Sequence, residues 1–237
     1  MINVREPAVA GQFYPGSREN IESMIRKDLD QLEKKNLPEK INLIGGISPH
    51  AGYIYCLKHM LPLFKMIEGS YFDEVILLNP NHTGLGFPLS IDSHDSWKTP
   101  MGTVAINEYT AEFLIRRSRS SPMKIVREPL AQKREHSAEV LLPLLSYFLR
   151  DFSFAPLCMG DSSYETACYI AELLYALNTE KTATPLLLAS SDFNHFALPE
   201  QGRKLDNQAL EPLLNLDSRA FQKVLREKIF LSAGMVP

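Results

Sequence analysis

The sequence predicts an α/β fold, a mixed central sheet flanked by helices on both faces. Three observations point there. Four short β-rich runs, Ile41 to Ile47, Glu74 to Leu78, Phe152 to Met159 and Pro185 to Ala189, are bounded by turn residues. Stretches of helical periodicity fall between them. Finally, His50, His82 and His195 each stand just past an apolar stretch. The loops leaving strand carboxyl ends are where open α/β sheets hold their ligands.

The first helix follows the turn signal Tyr14-Pro15-Gly16 and opens at Ser17, an N-cap residue type. Ile21, Met24, Ile25, Leu29 and Leu32 share one of its faces, and Asn36-Leu37-Pro38 ends it. Helical patterns follow at Cys56 to Met66, Tyr109 to Arg117, Ser137 to Phe148 and Tyr164 to Leu177. The four β-rich runs read as interior strands. Phe87 to Ile91 and Thr103 to Ile106 are weaker strands around Trp97-Lys98-Thr99-Pro100-Met101-Gly102, which implies antiparallel pairing and hence a mixed sheet. Beyond His195 a polar stretch leads to a helix over Gly202 to Leu214 and another opening at Asp217 or Ser218, with Phe221, Val224 and Leu225 on one face. With 237 residues, 45% of them hydrophobic, and no repeat or linker, a single domain over 1–237 is expected.

A net charge of −3 without a basic stripe argues against nucleic-acid binding. Cys56, Cys158 and Cys168 are too few and too irregularly spaced for a disulfide framework, so a reducing, cytoplasmic setting is expected. Charges interrupt the first residues, and no apolar run reaches the roughly 20 residues that span a bilayer.

His50 and His82 are the strongest chemical pair. Each follows a strand and a proline and precedes a glycine-containing turn, which suits aiming a side chain from a sharply bent backbone. Two neutral imidazoles with one anionic ligand would hold a divalent transition metal; a histidine at such a turn is equally compatible with a polar loop role. His195 follows Asp192 by three residues, the relation of a base and its orienting carboxylate, although Ser190-Ser191-Asp192 is also ordinary turn sequence. In Glu135-His136-Ser137-Ala138-Glu139, Ser137 suits an N-cap and Glu139 the positive end of a helix, which leaves Glu135 and His136 to line the same crevice. His59 and His94 have contexts that suggest no role. Cys158 and Cys168 read as small hydrophobes, and Cys56 as core.

Taken in order, Arg5 to Pro15, Pro49-His50-Ala51-Gly52-Tyr53, Asn79 to Gly84, Glu135 to Glu139 and Ser190 to His195 resemble the Memo family, also called AmmeMemoRadiSam system protein B. The resemblance implies a fold like that of class III extradiol dioxygenases with a non-haem metal pocket. It implies His50 and His82 as metal ligands, with Asp192 as pocket acid and His195 as base. The family's third ligand is a cysteine in a Cys-Gly pair, and Ala233-Gly234 stands at that place here. Cys56-Leu57 replaces the usual Ser-Gly, and the C-terminus is shortened relative to the family. Iron or copper is thus expected to be weakly held or absent.

Two functions follow as expectations. The first is a non-catalytic protein that binds a small molecule, peptide or partner in the dioxygenase-like pocket. The second is a non-haem iron- or copper-dependent oxidoreductase using His50, His82 and His195. The family name further implies association with an AMMECR-type protein and a radical SAM enzyme. No Gly-x-Ser-x-Gly elbow supports a hydrolase.

Overall fold

A computed structural model describes residues 2–32, 43–182, 184–193 and 195–232. They form two compact units that meet in sequence at Ser191 and Asp192.

The first unit is built on a six-stranded sheet. Its strands are β2 (Gly45–Ser48), β3 (Glu74–Pro80), β4 (Leu89–Ile91), β7 (Val126–Arg127), β8 (Ser153–Met159) and β9 (Leu186–Ser190), in the order β2-β9-β3-β8-β4-β7. The first four strands in that order run parallel; β4 lies antiparallel to β8, so the sheet is mixed as expected. A smaller sheet joins β1 (Val4–Arg5) to the hairpin of β5 (Ser96–Thr99) and β6 (Gly102–Ala105). Thr99 faces Gly102 across that hairpin, whose glycine takes a φ of 136° that other residues rarely adopt.

Helices flank the large sheet. One group comprises α1 (Arg18–Leu32), α2 (Tyr53–Ile67) and α4 (Leu142–Phe148); the other pairs α3 (Glu108–Ser118) with α5 (Tyr164–Glu180). The periodicity of α1 is explained by its burial of Ile21, Ile25 and Leu32. Asn107 and Ser163 cap α3 and α5 by accepting from the amides of Thr110 and Thr166. Val75, Leu77, Phe154 and Leu157 are buried in the centre of the sheet, which accounts for the continuous apolar runs of β3 and β8.

Two expectations need correction. The run from Ile41 is not an interior strand: its described part, β2, lies at the sheet edge with Ile47 exposed, while residues 41 and 42 lie outside the described residues. Its glycines serve close approach instead. A Cβ on Gly45 would sit 2.5 Å from the Leu187 carbonyl oxygen, and one on Gly46 would sit 2.5 Å from the Leu63 side chain. Nor does one helix run from Ser137 to Phe148. A 3-10 turn at Glu139–Leu141 precedes α4, and Pro143, lacking an N–H, sits in the first turn of that helix. The end of the first helix at Asn36-Leu37-Pro38 lies outside the described residues.

The second unit contains α6 (Pro199–Leu214) and α7 (Ser218–Ser232), which pack on each other. Asp217 caps α7 by accepting from the Ala220 amide at 2.9 Å. Among the described residues, no helix is long and apolar enough to cross a membrane.

Candidate metal centre

Parallel pairing of β2, β9 and β3 brings their carboxyl ends together. Ser48 lies opposite Ser190, and Leu78 lies opposite Ala189. His50 and His82 each follow their strand by two residues and therefore emerge at the same edge. Their rings meet edge to face with centroids 5.1 Å apart. The third imidazole here is His136, whose centroid lies 5.4 Å from that of His50 and 4.7 Å from that of His82. One ligand atom from each of the three falls within 4.8 Å of the others. Nitrogens around one tetrahedral ion stand about 3.4 Å apart, so modest side-chain rotation would let the group close on a single ion.

The hydrogen bonds behind the rings of His50 and His82 select which of their nitrogens is left to act as a donor atom. The Glu135 side chain is buried, and its Oε1 accepts from His82 Nδ1 at 2.8 Å and from the Ser137 hydroxyl at 2.7 Å, with the amides of His136 and Ser137 at 3.0 Å. Its Oε2 accepts the His82 backbone N–H at 2.6 Å. Burial by itself would raise the Glu135 carboxyl, but the hydrogen bonds from His82 and Ser137 outweigh it and hold the group below its ordinary value. Glu135 is thus an anion at neutral pH. It keeps the proton of neutral His82 on Nδ1 and presents Nε2 as the donor atom.

His50 obeys the same logic with a neutral partner. The Ser190 hydroxyl donates to the Ser137 carbonyl at 2.7 Å, and the same oxygen lies 2.8 Å from His50 Nδ1. Because the one hydroxyl proton is committed to the carbonyl, Ser190 accepts from Nδ1–H, which again leaves Nε2 as the donor atom. Burial grades across the group: His50 is 3% exposed, the His136 side chain 21% and the His82 side chain 45%. The side of the centre at His82 is therefore open to solvent.

Behind this layer lies a polar chain. Gln132 donates to the Asn79 side chain at 2.9 Å, and Asn79 donates to the Ser137 hydroxyl at 3.3 Å. The loop that carries Gln132 to Glu139 is fastened to the N-terminal segment. The buried Glu139 carboxylate accepts from Arg5 Nη1 at 2.6 Å, the amides of Ala8 and Val9 at 2.8 and 2.9 Å, and the Tyr14 hydroxyl at 2.7 Å. Arg5 also donates to the carbonyls of Gln132 and Glu135, both at 2.9 Å, and its guanidinium lies 3.9 Å from the Trp97 ring centroid. Burial together with the Glu139 charge and hydrogen bond pushes the Tyr14 phenol well up.

The sequence-predicted residues separate accordingly. His50 and His82 come together as expected, and His136, expected only to line the crevice, is the third member of the group. Asp192 and His195 belong to the second unit, where Asp192 Oδ2 lies 3.7 Å from His195 Nε2. Ser137 does not cap a helix and serves Glu135 instead, whereas Glu139 stands in the first turn of the 3-10 segment, as expected, with its carboxylate also serving the N-terminal segment. Cys56 is core, its thiol donating to the Ala51 carbonyl at 2.9 Å. His59 is exposed on α2, and His94 is held by Asp92, whose Oδ1 lies 2.7 Å from its Nδ1. Ala233 and Gly234 lie outside the described residues.

The mixed sheet and a histidine group that could hold a metal ion define the class, an α/β protein with a candidate metal centre, and comparison with known proteins names the family. The model of Memo-like proteins matches residues 5–236. Among curated relatives, a MEMO1 family protein of Aquifex aeolicus is 36% identical, over 100% of this chain and 84% of its own length. One from Methanosarcina mazei is 35% identical over 91% of this chain and 76% of its own length, and one from Thermotoga maritima is 34% identical over 95% and 83%. The chain belongs to the Memo family.

Proposed function

We propose that the protein binds one divalent first-row transition metal through the Nε2 atoms of His50, His82 and His136. The convergence of a third imidazole on His50 and His82 is the observation that supports this reading. Three neutral imidazoles suit iron, copper, zinc or nickel, and three protein ligands leave positions open for a small molecule or oxygen. Glu135, hydrogen-bonded to His82 Nδ1, would supply through that ring the negative charge that the imidazoles lack. When bound, a non-haem iron or copper ion would supply Lewis-acid and redox chemistry. On this reading the protein is a metal-dependent oxidoreductase with a class III extradiol dioxygenase-like pocket. The family resemblance assigns proton handling to Asp192 and His195, and association with an AMMECR-type protein and a radical SAM enzyme.

Ala233, standing where the family has a cysteine, favours the competing reading of a non-catalytic binding pocket. Metal analysis of anaerobically purified protein separates the two. About one equivalent of metal per chain, lost in His50→Ala and weakened in His136→Ala, is expected. Metal retained only after Ala233→Cys would overturn the three-histidine site.

A further inference from the structure

We propose that Asn79 is a positioning residue for the metal centre: by claiming the Pro80 carbonyl, its side-chain amide commits the Ser137 hydroxyl to Glu135 and so steadies the carboxylate that orients His82. The inference rests on the three-histidine reading above and goes beyond it by naming what holds Glu135 in place against His82.

The Ser137 hydroxyl has one proton and two acceptors within reach, Glu135 Oε1 at 2.7 Å and the Pro80 carbonyl at 3.2 Å. Asn79 acts on both sides of that choice. Its Nδ2 donates to the Pro80 carbonyl at 3.0 Å and to the Ser137 hydroxyl oxygen at 3.3 Å, one bond for each of its two hydrogens. The Cys158 thiol, 3.8 Å away, faces the same carbonyl, so both lone pairs of that oxygen are addressed without Ser137. The Ser137 proton is left for Glu135. An oxygen that accepts a hydrogen bond also donates more strongly, which reinforces the bond to Glu135 from behind.

The direction of this chain is set at its Pro80 end. A carbonyl only accepts, so Asn79 must turn its N–H groups to Pro80 and Ser137 and leave Oδ1 for Gln132 Nε2, which donates at 2.9 Å. Turning the Gln132 amide over would set two carbonyl oxygens against each other. The cost of the arrangement falls on Gln132 Oε1, a buried atom without a hydrogen-bond partner among the described residues. Asn79 and Gln132 are both buried, so bulk solvent does not compete for these bonds. The other polar group of Ser137 serves a different ring: its carbonyl accepts from Ser190, whose oxygen faces His50. The influence of Asn79 is therefore directed to His82.

A double-mutant cycle read by Co(II) titration tests the idea, with the visible d–d spectrum reporting ligand geometry. Asn79→Ala should weaken Co(II) binding about tenfold, the lower end of what losing an outer partner of a metal ligand costs. In a Ser137→Ala background the same change should alter affinity by less than about twofold, because the hydroxyl through which it acts is already gone. Equal weakening in both backgrounds, the result of a general loosening of β3, overturns the proposal, as does no weakening in the first. Urea unfolding checks each variant, and Asn79→Val replaces Asn79→Ala if that chain does not fold. Failure of the unmodified protein to bind Co(II) would sink the proposed function instead. Positioning is then read in the metal-free protein from imidazole NMR, with signals assigned using His82→Ala and His50→Ala. Asn79→Ala should shift the His82 ring signals and leave those of His50 in place; unshifted His82 signals, or equal shifts of both rings, overturn it.

Discussion

Glu135 meets His82 twice, through the backbone N–H at 2.6 Å and the ring Nδ1–H at 2.8 Å. The carboxylate therefore fixes both where the residue sits and which ring nitrogen carries the proton, leaving Nε2 as the atom available to a ligand. Glu135→Gln retains the size but places an amide N–H against one of these donors and removes the charge. The expected outcome is a 10- to 100-fold loss of metal affinity (about 1.4–2.7 kcal/mol). Zn(II) or Co(II) titration by calorimetry measures it, and an unchanged affinity would show that Glu135 is not coupled to the site.

The same carboxylate makes metal-free stability depend on pH. Its folded-state value lies below the ordinary 4.5, so it binds fewer protons folded than unfolded over the interval between. Its stabilisation is present above the ordinary value and is lost as pH falls through the lowered one. Urea midpoints taken from about pH 6 down to about pH 3 should therefore drop more steeply in the unmodified protein than in Glu135→Gln.

Arg5 and Glu139 form a buried pair at 2.6 Å. Arg5→Met would leave the Glu139 carboxylate buried without its cation and take donors from the carbonyls of Gln132 and Glu135. Breaking a buried pair from one side costs about 3–5 kcal/mol. Urea denaturation should show a loss in that range, with metal affinity falling in parallel. A loss below about 1 kcal/mol would mean the pair behaves like a surface ion pair.

Cys158 is buried on β8, and burial, reinforced by the charge of Glu135, pushes its thiol up to about 12. Thiolate is the reactive form, so near pH 8 this cysteine should resist an alkylating reagent in the native protein and react only after unfolding. Peptide mapping after alkylation distinguishes it from half-buried Cys168. Rapid native labelling at Cys158 would contradict the burial.

Local patterning made much of the fold legible. The apolar runs at β3, β8 and β9 and the periodicity of α1, α3 and α5 were expected close to where they occur. The two-residue β1 and β7 carry too little sequence to read, and the sequence around Trp97 that forms β5 reads as a connection between strands. At the site, strand ends followed by Pro and Gly turns gave His50 and His82. That His136 joins His50 and His82 is not legible in the sequence, because its neighbours suit an ordinary cap: a Ser and a Glu beside an apolar run satisfy local helix chemistry. What redirects them is non-local. Glu139 is claimed by Arg5, Ala8, Val9 and Tyr14, and the Ser137 carbonyl is claimed by Ser190. No spacing along the chain encodes those partners.

The Arg5–Glu139 fastening spans 134 residues. The loop-closure entropy of such a contact is spent before any of its hydrogen bonds form, so it follows the local helices and the pairing of neighbouring strands in time. His136 lies three residues before Glu139, on the loop that this fastening holds. On the proposed metal-binding reading, the three imidazoles would come together as one ligand set only late in folding, so loading would follow the closing of the chain rather than guide it.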